Sequence, residues 1–390
     1  MAKGTSISNN ALRVSNRKAI LVLEDGSVFR GIGFGALTKV HGEVVFNTGM
    51  VGYPEAITDP SYKGQILVQT YPLIGNYGVN PASFESDGPK IEGYAIHELC
   101  RDPSHWSSKL TLDSWLNESG IPGIEGLDTR MLTKKIRTKG TMLGILQVYE
   151  DLGEDHHALQ VRADSLKKEV NRAIHPDNER LAYVVATDRI ITFNANSDKD
   201  VVLIDCGVKR SIIKNILQRK FNVVLVPPKT PSSEIMDLDP LAVILSNGPG
   251  DPRMYEEVID TTRELINAGV PLLGICLGCQ ILALSCGAKT YKLKFGHRGQ
   301  NHPCIDVRTG RCYITSQNHS YVVDEKTLGK TGLRVTFINA NDKTIEGIEH
   351  ESLPIKAVQF HPEASPGPTD TNFYFDQFLA EIVQRRMRDS

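Results

Sequence analysis

Two cysteines three positions apart, Cys276 and Cys279 in "PLLGICLGCQILAL" (residues 271–284), are the first residues whose types and spacing point to chemistry. A C-x-x-C pair offers half of a tetrahedral metal site, a redox couple, or one nucleophile with an incidental neighbour. A structural zinc site needs four ligands, and no second pair stands at suitable spacing. Cys304 and Cys312 are eight apart in "CIDVRTGRC", and His297 and His302 follow no metal-binding pattern. No metal is therefore expected. A thioredoxin-like couple also opens a helix after a strand, but here the intervening residues are Leu-Gly, with no further redox machinery.

The third reading uses more residues. Gly274-Ile-Cys276-Leu-Gly278 is a thiol version of G-x-S-x-G, a sharp strand-to-helix turn that presents a nucleophile. Small residues two before and two after let neighbouring backbone pass close by. A helix over Leu277–Cys286, ended by Gly287, points its amino terminus at the sulfur, where the helix dipole favours thiolate. The Leu277 N–H is placed to receive an oxyanion. Taken alone, the motif also fits a buried core cysteine, the usual state of cysteine in an apolar run.

Such a nucleophile needs a base and an orienter. "IKAVQFHPEAS" places His361 and Glu363 at the end of an apolar, strand-like run. Positions i and i+2 of a strand share a face, so imidazole and carboxylate emerge together at the strand's carboxyl end. "LSNGPGDP" adds Gly248 and Gly250, which let main chain approach a ligand, with Pro249 stiffening the loop. A plain strand-to-helix turn would use the same residues.

The elements that must position these groups follow from pattern. From Val201 onward, apolar runs ("VVLID", "NVVLVPP", "LAVIL", "VPLLGIC") alternate with helical spacings ("VKRSIIKNILQRKF", "MYEEVIDTTRELINAG"). Continuous apolar runs fit strands buried on both faces of a parallel sheet, so residues 199–390 are expected to form a doubly wound α/β domain. In such a sheet, ligands sit at the carboxyl ends of the strands. Residues 18–150 are glycine-rich and strand-like, with a hairpin turn at "EDGS" and one short helix in "LDTRMLTKKIRTKG". They read as a β-rich mixed domain. Residues 151–198 read as a connector carrying an amphipathic helix in "HHALQVRADSLKKEV" and a loop at "FNANSDKD", and residues 1–17 as a disordered tail.

The 390 residues as a whole set further bounds. Lys and Arg number 44 against 46 Asp and Glu, a formal charge of −2, which argues against a nucleic-acid or anionic-membrane partner. No apolar run approaches the ~20 residues of a membrane-spanning helix. Seven cysteines, an odd number thinly spread, fit a reducing compartment, and a cytoplasmic location is expected. The first 18 residues hold four basic side chains and no acid or apolar core, unlike a secretory signal. Their alternative to plain disorder is a clipped organelle transit peptide.

Together, "GICLGCQ", "HPEASPGP", "LSNGPGDP" and "TSQNHSYVVD" resemble a class I, triad-type glutamine amidotransferase domain. "GEVVFNTGMVGYPEAITDPSY", "YPLIGNYGVN" and "GIEGLDTRMLTKKIRTKGTMLG" resemble the small, glutamine-hydrolysing subunit of carbamoyl-phosphate synthetase. The resemblance runs from about Lys18 to the carboxyl terminus. It implies a Cys276–His361–Glu363 triad that releases ammonia from L-glutamine through a thioester, with the oxyanion between the N–H groups of Leu277 and Gly248. It implies glutamine contacts at Ser61, Gly248, Gly250, Leu277, Gln280, Asn318, Ser320 and Tyr321. The resemblance also implies a large subunit that receives the ammonia through a tunnel and makes carbamoyl phosphate from bicarbonate and two ATP, for arginine and pyrimidine synthesis. No cofactor is expected in this chain, since ATP and Mg would belong to the large subunit and no G-x-x-x-x-G-K-[ST] loop is present. The domain over 18–150 would be the docking surface.

Two positions depart from the family pattern: Cys279 stands where members usually carry His, and Ser320 where they usually carry Gly. Hydrolysis is expected to survive both, with the backbone angle at Ser320 the open point. Cys279 also raises the expectation of a resolving thiol that closes a reversible disulfide with Cys276. The competing readings are a glutaminase arm for anthranilate or guanylate synthesis, a non-catalytic partner, and a CxxC redox protein. The first of these lacks a domain like residues 18–150.

Overall fold

The computed structural model describes residues 16–389. The expected amino-terminal tail falls outside these residues except for Asn16 and Arg17, and Arg17 already opens the first strand.

Seven strands close into a barrel in the order Arg17–Leu23, Val28–Gly35, Pro122–Glu125, Gly93–Ala95, Gln65–Gln69, Lys39–Asn47 and Met142–Glu150. Period-two alternation drives the closure. Ala19, Leu21 and Leu23 fill the interior with Phe46, Val68 and Leu146, while Ile20 and Val22 face outward. The "EDGS" turn joins the first two strands, with Gly26 at φ +82° where a β-carbon would be strained. The short helix covers Thr129–Lys139: the Asp128 side chain accepts from the Met131 N–H at its start, and Gly140 ends it.

The segment 151–198 joins the two domains and packs on both. Helix His156–Val170 lays Ala163, Leu166 and Val170 against Ile20, Val22, Leu143 and Ile145 on the outer barrel wall. Those three positions are i, i+3 and i+7, one face of a helix, and each buried aliphatic there is worth about 1.5–3 kcal/mol. The abundant charges of the segment occupy the other face. Further on, Ala182 enters the core of the second domain, and Ile191–Phe193 pairs antiparallel with Asn222–Val226 as its edge strand.

The second domain is a ten-stranded sheet. Its centre is parallel, in the order Asn222–Val226, Asp200–Ile204, Ala242–Leu245, Leu272–Ile275 and Ile355–Val358. Val201, Leu203, Val223 and Leu225 point into one apolar cluster and Val202, Ile204, Val224 and Val226 into the opposite one, so both faces are covered. Helices Arg210–Gln218, Glu256–Asn267 and Leu277–Ser285 lie where the periodicity places them.

Four further strands extend this sheet antiparallel: Ile345–His350, Leu333–Asn339, Thr290–Asp306 and Cys312–Val323. The last two form a long ribbon that folds back over the carboxyl end of the parallel strands. Its Arg298 and Lys294 carbonyls accept from Thr48 and Thr141 of the barrel domain, and its Ser316 carbonyl accepts from the His361 N–H. Among the described residues, no helix is long and apolar enough to cross a membrane.

Candidate active site

Cys276 ends strand Leu272–Ile275 and caps helix Leu277–Ser285, with φ 54° and ψ −102°. A non-glycine residue in such a conformation costs on the order of 1–3 kcal/mol, which the surrounding packing must offset. The two small residues make the turn possible. A β-carbon on Gly274 would lie 2.5 Å from the Gly278 carbonyl oxygen, and one on Gly278 2.2 Å from that of Leu245. The Cys276 N–H donates to the Val358 carbonyl at 2.9 Å, which holds the elbow beside the strand leading to His361.

His361 and Glu363 are buried, 2.6 Å apart from Nδ1 to Oε1. The other imidazole nitrogen, Nε2, has no hydrogen-bond partner, and the Cys276 side chain is its neighbour. Burial alone would lower the imidazole pKa, but the charges of Glu363 and Cys276 outweigh it and push it up to about 10. Imidazolium is thus the favoured form at neutral pH. Burial would raise Glu363, but Lys209 and His361 hold it well below the usual carboxylate range.

Lys209 was not singled out in the sequence. Its ammonium lies 2.9 Å from the same Glu363 oxygen and is itself buried. Burial disfavours that charge, yet Glu363, Glu85 and Asp59 more than compensate and keep its pKa above the ordinary lysine value. The signal was present: Lys209 follows the carboxyl end of "VVLID", where a parallel sheet places its ligand-facing groups.

A cleft opens on the sulfur and is lined by Ser61, Gly248, Gly250, Cys276, Leu277, Gln280, Asn318, Ser320 and Tyr321. Every residue to which the resemblance assigned glutamine therefore borders one space. Leu277 is the first residue of its helix, so its N–H has no partner inside the helix. Gly248 packs so tightly that a β-carbon would lie 2.0 Å from the Cys206 carbonyl oxygen. His361 borders a second, small cavity shared with Asn47, Tyr62, Lys209 and Asn318.

The barrel domain supplies Ser61 through a turn built on Asp59, another residue sequence reasoning passed over. Asp59 accepts from the Ser61 N–H at 2.9 Å and from Asn318 Nδ2 at 2.9 Å. Asn247 in turn donates to Ser61 Oγ at 2.9 Å. Nearby, Lys292 bridges Glu43 of the barrel and Asp177, both at 2.6 Å, and Tyr321 donates its hydroxyl to Asp177 at 2.8 Å. Gln280 turns its amide to the Tyr321 carbonyl at 2.8 Å and to Gln359 at 3.1 Å. Its side chain therefore shapes the cleft floor through these neighbours.

Ser320 lies within strand Cys312–Val323, and its hydroxyl accepts from Arg298. The left-handed bend of the ribbon falls across from it, at Gly296 with φ +66°. A side chain is thus accommodated at position 320. Cys279 is fully buried with Leu245, Leu277 and Leu282, in a different apolar cluster from Cys276. Burial, with the charges of Cys276 and Glu346, pushes its thiol well above the usual range. A protonated, enclosed thiol is a poor resolving partner, and packing is the role its surroundings assign.

With this geometry in place, comparison with known proteins is specific. Residues 202–381 match the family model for class-I glutamine amidotransferase, and residues 21–146 match that for the CPSase domain of the carbamoyl-phosphate synthase small chain. A carbamoyl phosphate synthase small chain of Archaeoglobus fulgidus is 49% identical over 369 residues, covering 95% of this chain and all of its own. One from Methanopyrus kandleri is 48% identical over 93% of this chain and 98% of its own. A pyrimidine-specific small chain of Bacillus subtilis is 46% identical over 94% of this chain and 96% of its own. Both domains thus match, and the relatives align over nearly their whole length, so the chain belongs to the carbamoyl-phosphate synthase small-chain family.

Proposed function

We propose that this chain hydrolyses L-glutamine at Cys276 and delivers the ammonia to a carbamoyl-phosphate synthase large chain. The observation that carries the reading is the convergence of Cys276, His361 and Glu363 at adjacent strand ends, beneath a turn from the other domain.

The Cys276 thiolate attacks the carboxamide carbon, and the oxyanion forms between the Leu277 and Gly248 N–H groups. His361, held as imidazolium, gives its proton to the nitrogen as the C–N bond breaks and ammonia leaves. The neutral imidazole then takes a proton from water, which attacks the γ-glutamyl thioester. The C–S bond breaks, glutamate departs, and thiolate and imidazolium are restored. Glu363 fixes the tautomer and orientation of the imidazole, and Lys209 keeps that carboxylate ionised. Ser61, Gly250, Gln280, Asn318, Ser320 and Tyr321 form the wall that receives the amino-acid end of the substrate.

The cavity on the far side of His361 supplies a route for ammonia away from the glutamine entrance. The large chain would hold the ATP and Mg²⁺ and carry out the bicarbonate chemistry, feeding arginine and pyrimidine synthesis. The test is reconstitution with a large chain. Cys276→Ser is expected to abolish glutamine-driven carbamoyl phosphate formation while leaving the ammonia-driven reaction intact. Undiminished glutamate release by Cys276→Ser would sink the proposal.

A further inference from the structure

Behind the glutamine cleft, the ribbon and strand Ile345–His350 bring together His297, His319 and Glu346, all buried. One ligand atom from each lies within 4.8 Å of the others. Two of those side chains carry buried atoms without any hydrogen-bond partner: His297 Nδ1 and Glu346 Oε2. Orphaned polar atoms in a buried interior are uncommon, and here two belong to side chains whose ligating groups converge.

We propose that this triad binds one divalent transition-metal ion of the zinc class, as a structural clamp across three strands.

The outward-facing partners are those a metal-bound imidazole requires. His297 directs Nε2 to Asp342 at 2.8 Å, which leaves Nδ1 facing the centre. His319 faces the Tyr321 carbonyl with Nδ1 at 3.0 Å and the Gln317 side-chain oxygen with Nε2 at 3.1 Å, an acceptor at each nitrogen where a neutral imidazole can donate to only one. Gln317 is held in this orientation because its amide donates to Thr315 and Cys304. A cation between the groups removes the conflict. Asn339 supports Glu346 by donating to Oε1 at 2.9 Å.

Spacing agrees. His297 Nδ1 and Glu346 Oε1 are 3.4 Å apart, too long for a good hydrogen bond. Two ligands at about 2.0–2.1 Å from a tetrahedral ion are separated by about 3.3 Å. Asp342 is part-exposed and gives the ion a way in.

This ligand set is invisible to spacing rules because its members come from positions 297, 319 and 346 on three strands. The expectation of no metal rested on cysteine pairs and on His297 with His302. The clamp would fix the ribbon segment on which Asn318, Ser320 and Tyr321 flank His319. It stands apart from the glutaminase reading, because its first readout is metal content.

The experiment uses the full chain carrying Cys276→Ser, so that the elbow thiol cannot take the ion. Chelator-treated protein is titrated with Zn²⁺ alone, and bound metal is measured by elemental analysis after gel filtration. The expected result is one ion per chain, a thermal midpoint raised by several degrees, and at least about tenfold weaker binding in both Glu346→Gln and His297→Asn. Asp342→Asn should weaken binding by about 10–100-fold while preserving stoichiometry at saturation. No retained zinc at micromolar concentration, or unchanged affinity in Glu346→Gln and His297→Asn, overturns the site. Should those variants fail to fold, an anomalous-scattering map of the zinc-soaked parent decides it by a peak, or none, among the three ligand atoms.

Discussion

The barrel and the sheet are both built from short apolar strands, yet they divide the labour unequally. The barrel closes on itself, which removes its free strand edges, and its interior fills with packing residues. The sheet stays open with a parallel centre, and near the carboxyl ends of its strands it gathers Cys276, His361 and Lys209, with His361 and Lys209 both on Glu363. The barrel reaches the same place only through one turn, at Asp59 and Ser61. In this molecule the barrel positions, while the carboxyl ends of the parallel strands hold the groups proposed to react.

That division can be broken or sharpened. The largest effect is expected at the sheet's elbow: Cys276→Ser should lower glutamine hydrolysis by at least about 10³-fold with substrate binding largely retained, measured as glutamate release and glutamine affinity. Glu363→Gln comes next. The raised His361 pKa predicts an alkaline limb in the rate near pH 10 rather than near 6.5, because the proton donor is lost as pH rises through that value. The same shift contributes stability that is complete below about pH 6.5 and lost as pH approaches 10. Removing the Glu363 charge should move the alkaline limb down by more than one pH unit, read from a pH–rate profile.

On the barrel side, Asp59→Ala should raise KM for glutamine by about tenfold or more with a smaller change in kcat, since Asp59 acts through Ser61 and Asn318. A kcat collapse as large as that of Cys276→Ser would erase the distinction between the two bodies. The smallest kinetic effect is expected from Leu166→Ala in the helix on the barrel wall. It should cost about 2–5 kcal/mol of stability, seen in chemical denaturation, with steady-state constants unchanged at temperatures where the fold is intact.

What could be read from the residues alone was whatever is local. The elbow, the His361–Glu363 spacing and the helices after each parallel strand each lie in one short window with its own periodicity. Barrel closure did not, because it depends on Arg17–Leu23 meeting Met142–Glu150, two segments about 120 residues apart. The docking of residues 151–198 was hidden because their charges dominate the composition, while three aliphatic side chains decide where the helix docks. Lys209, Asp59 and Asn247 escaped notice for a related reason: each is an ordinary polar residue until another chain segment arrives beside it. Ser61 was found only because the resemblance carried it. Taken alone, a Ser after Asp-Pro is a turn residue.

The turn at Asp59 has a consequence for recombination between relatives. Its carboxylate and the Ser61 hydroxyl satisfy amides of Asn247 and Asn318, while Glu85 accepts from the Ser211 N–H and hydroxyl and Glu43 from Lys292. Exchanging one half of the molecule for a counterpart from another lineage would leave these groups facing strangers, each mismatch stranding a desolvated donor or acceptor. The two halves are therefore expected to travel through evolution as a matched set, with crossovers tolerated at the outer surface and rejected along this seam.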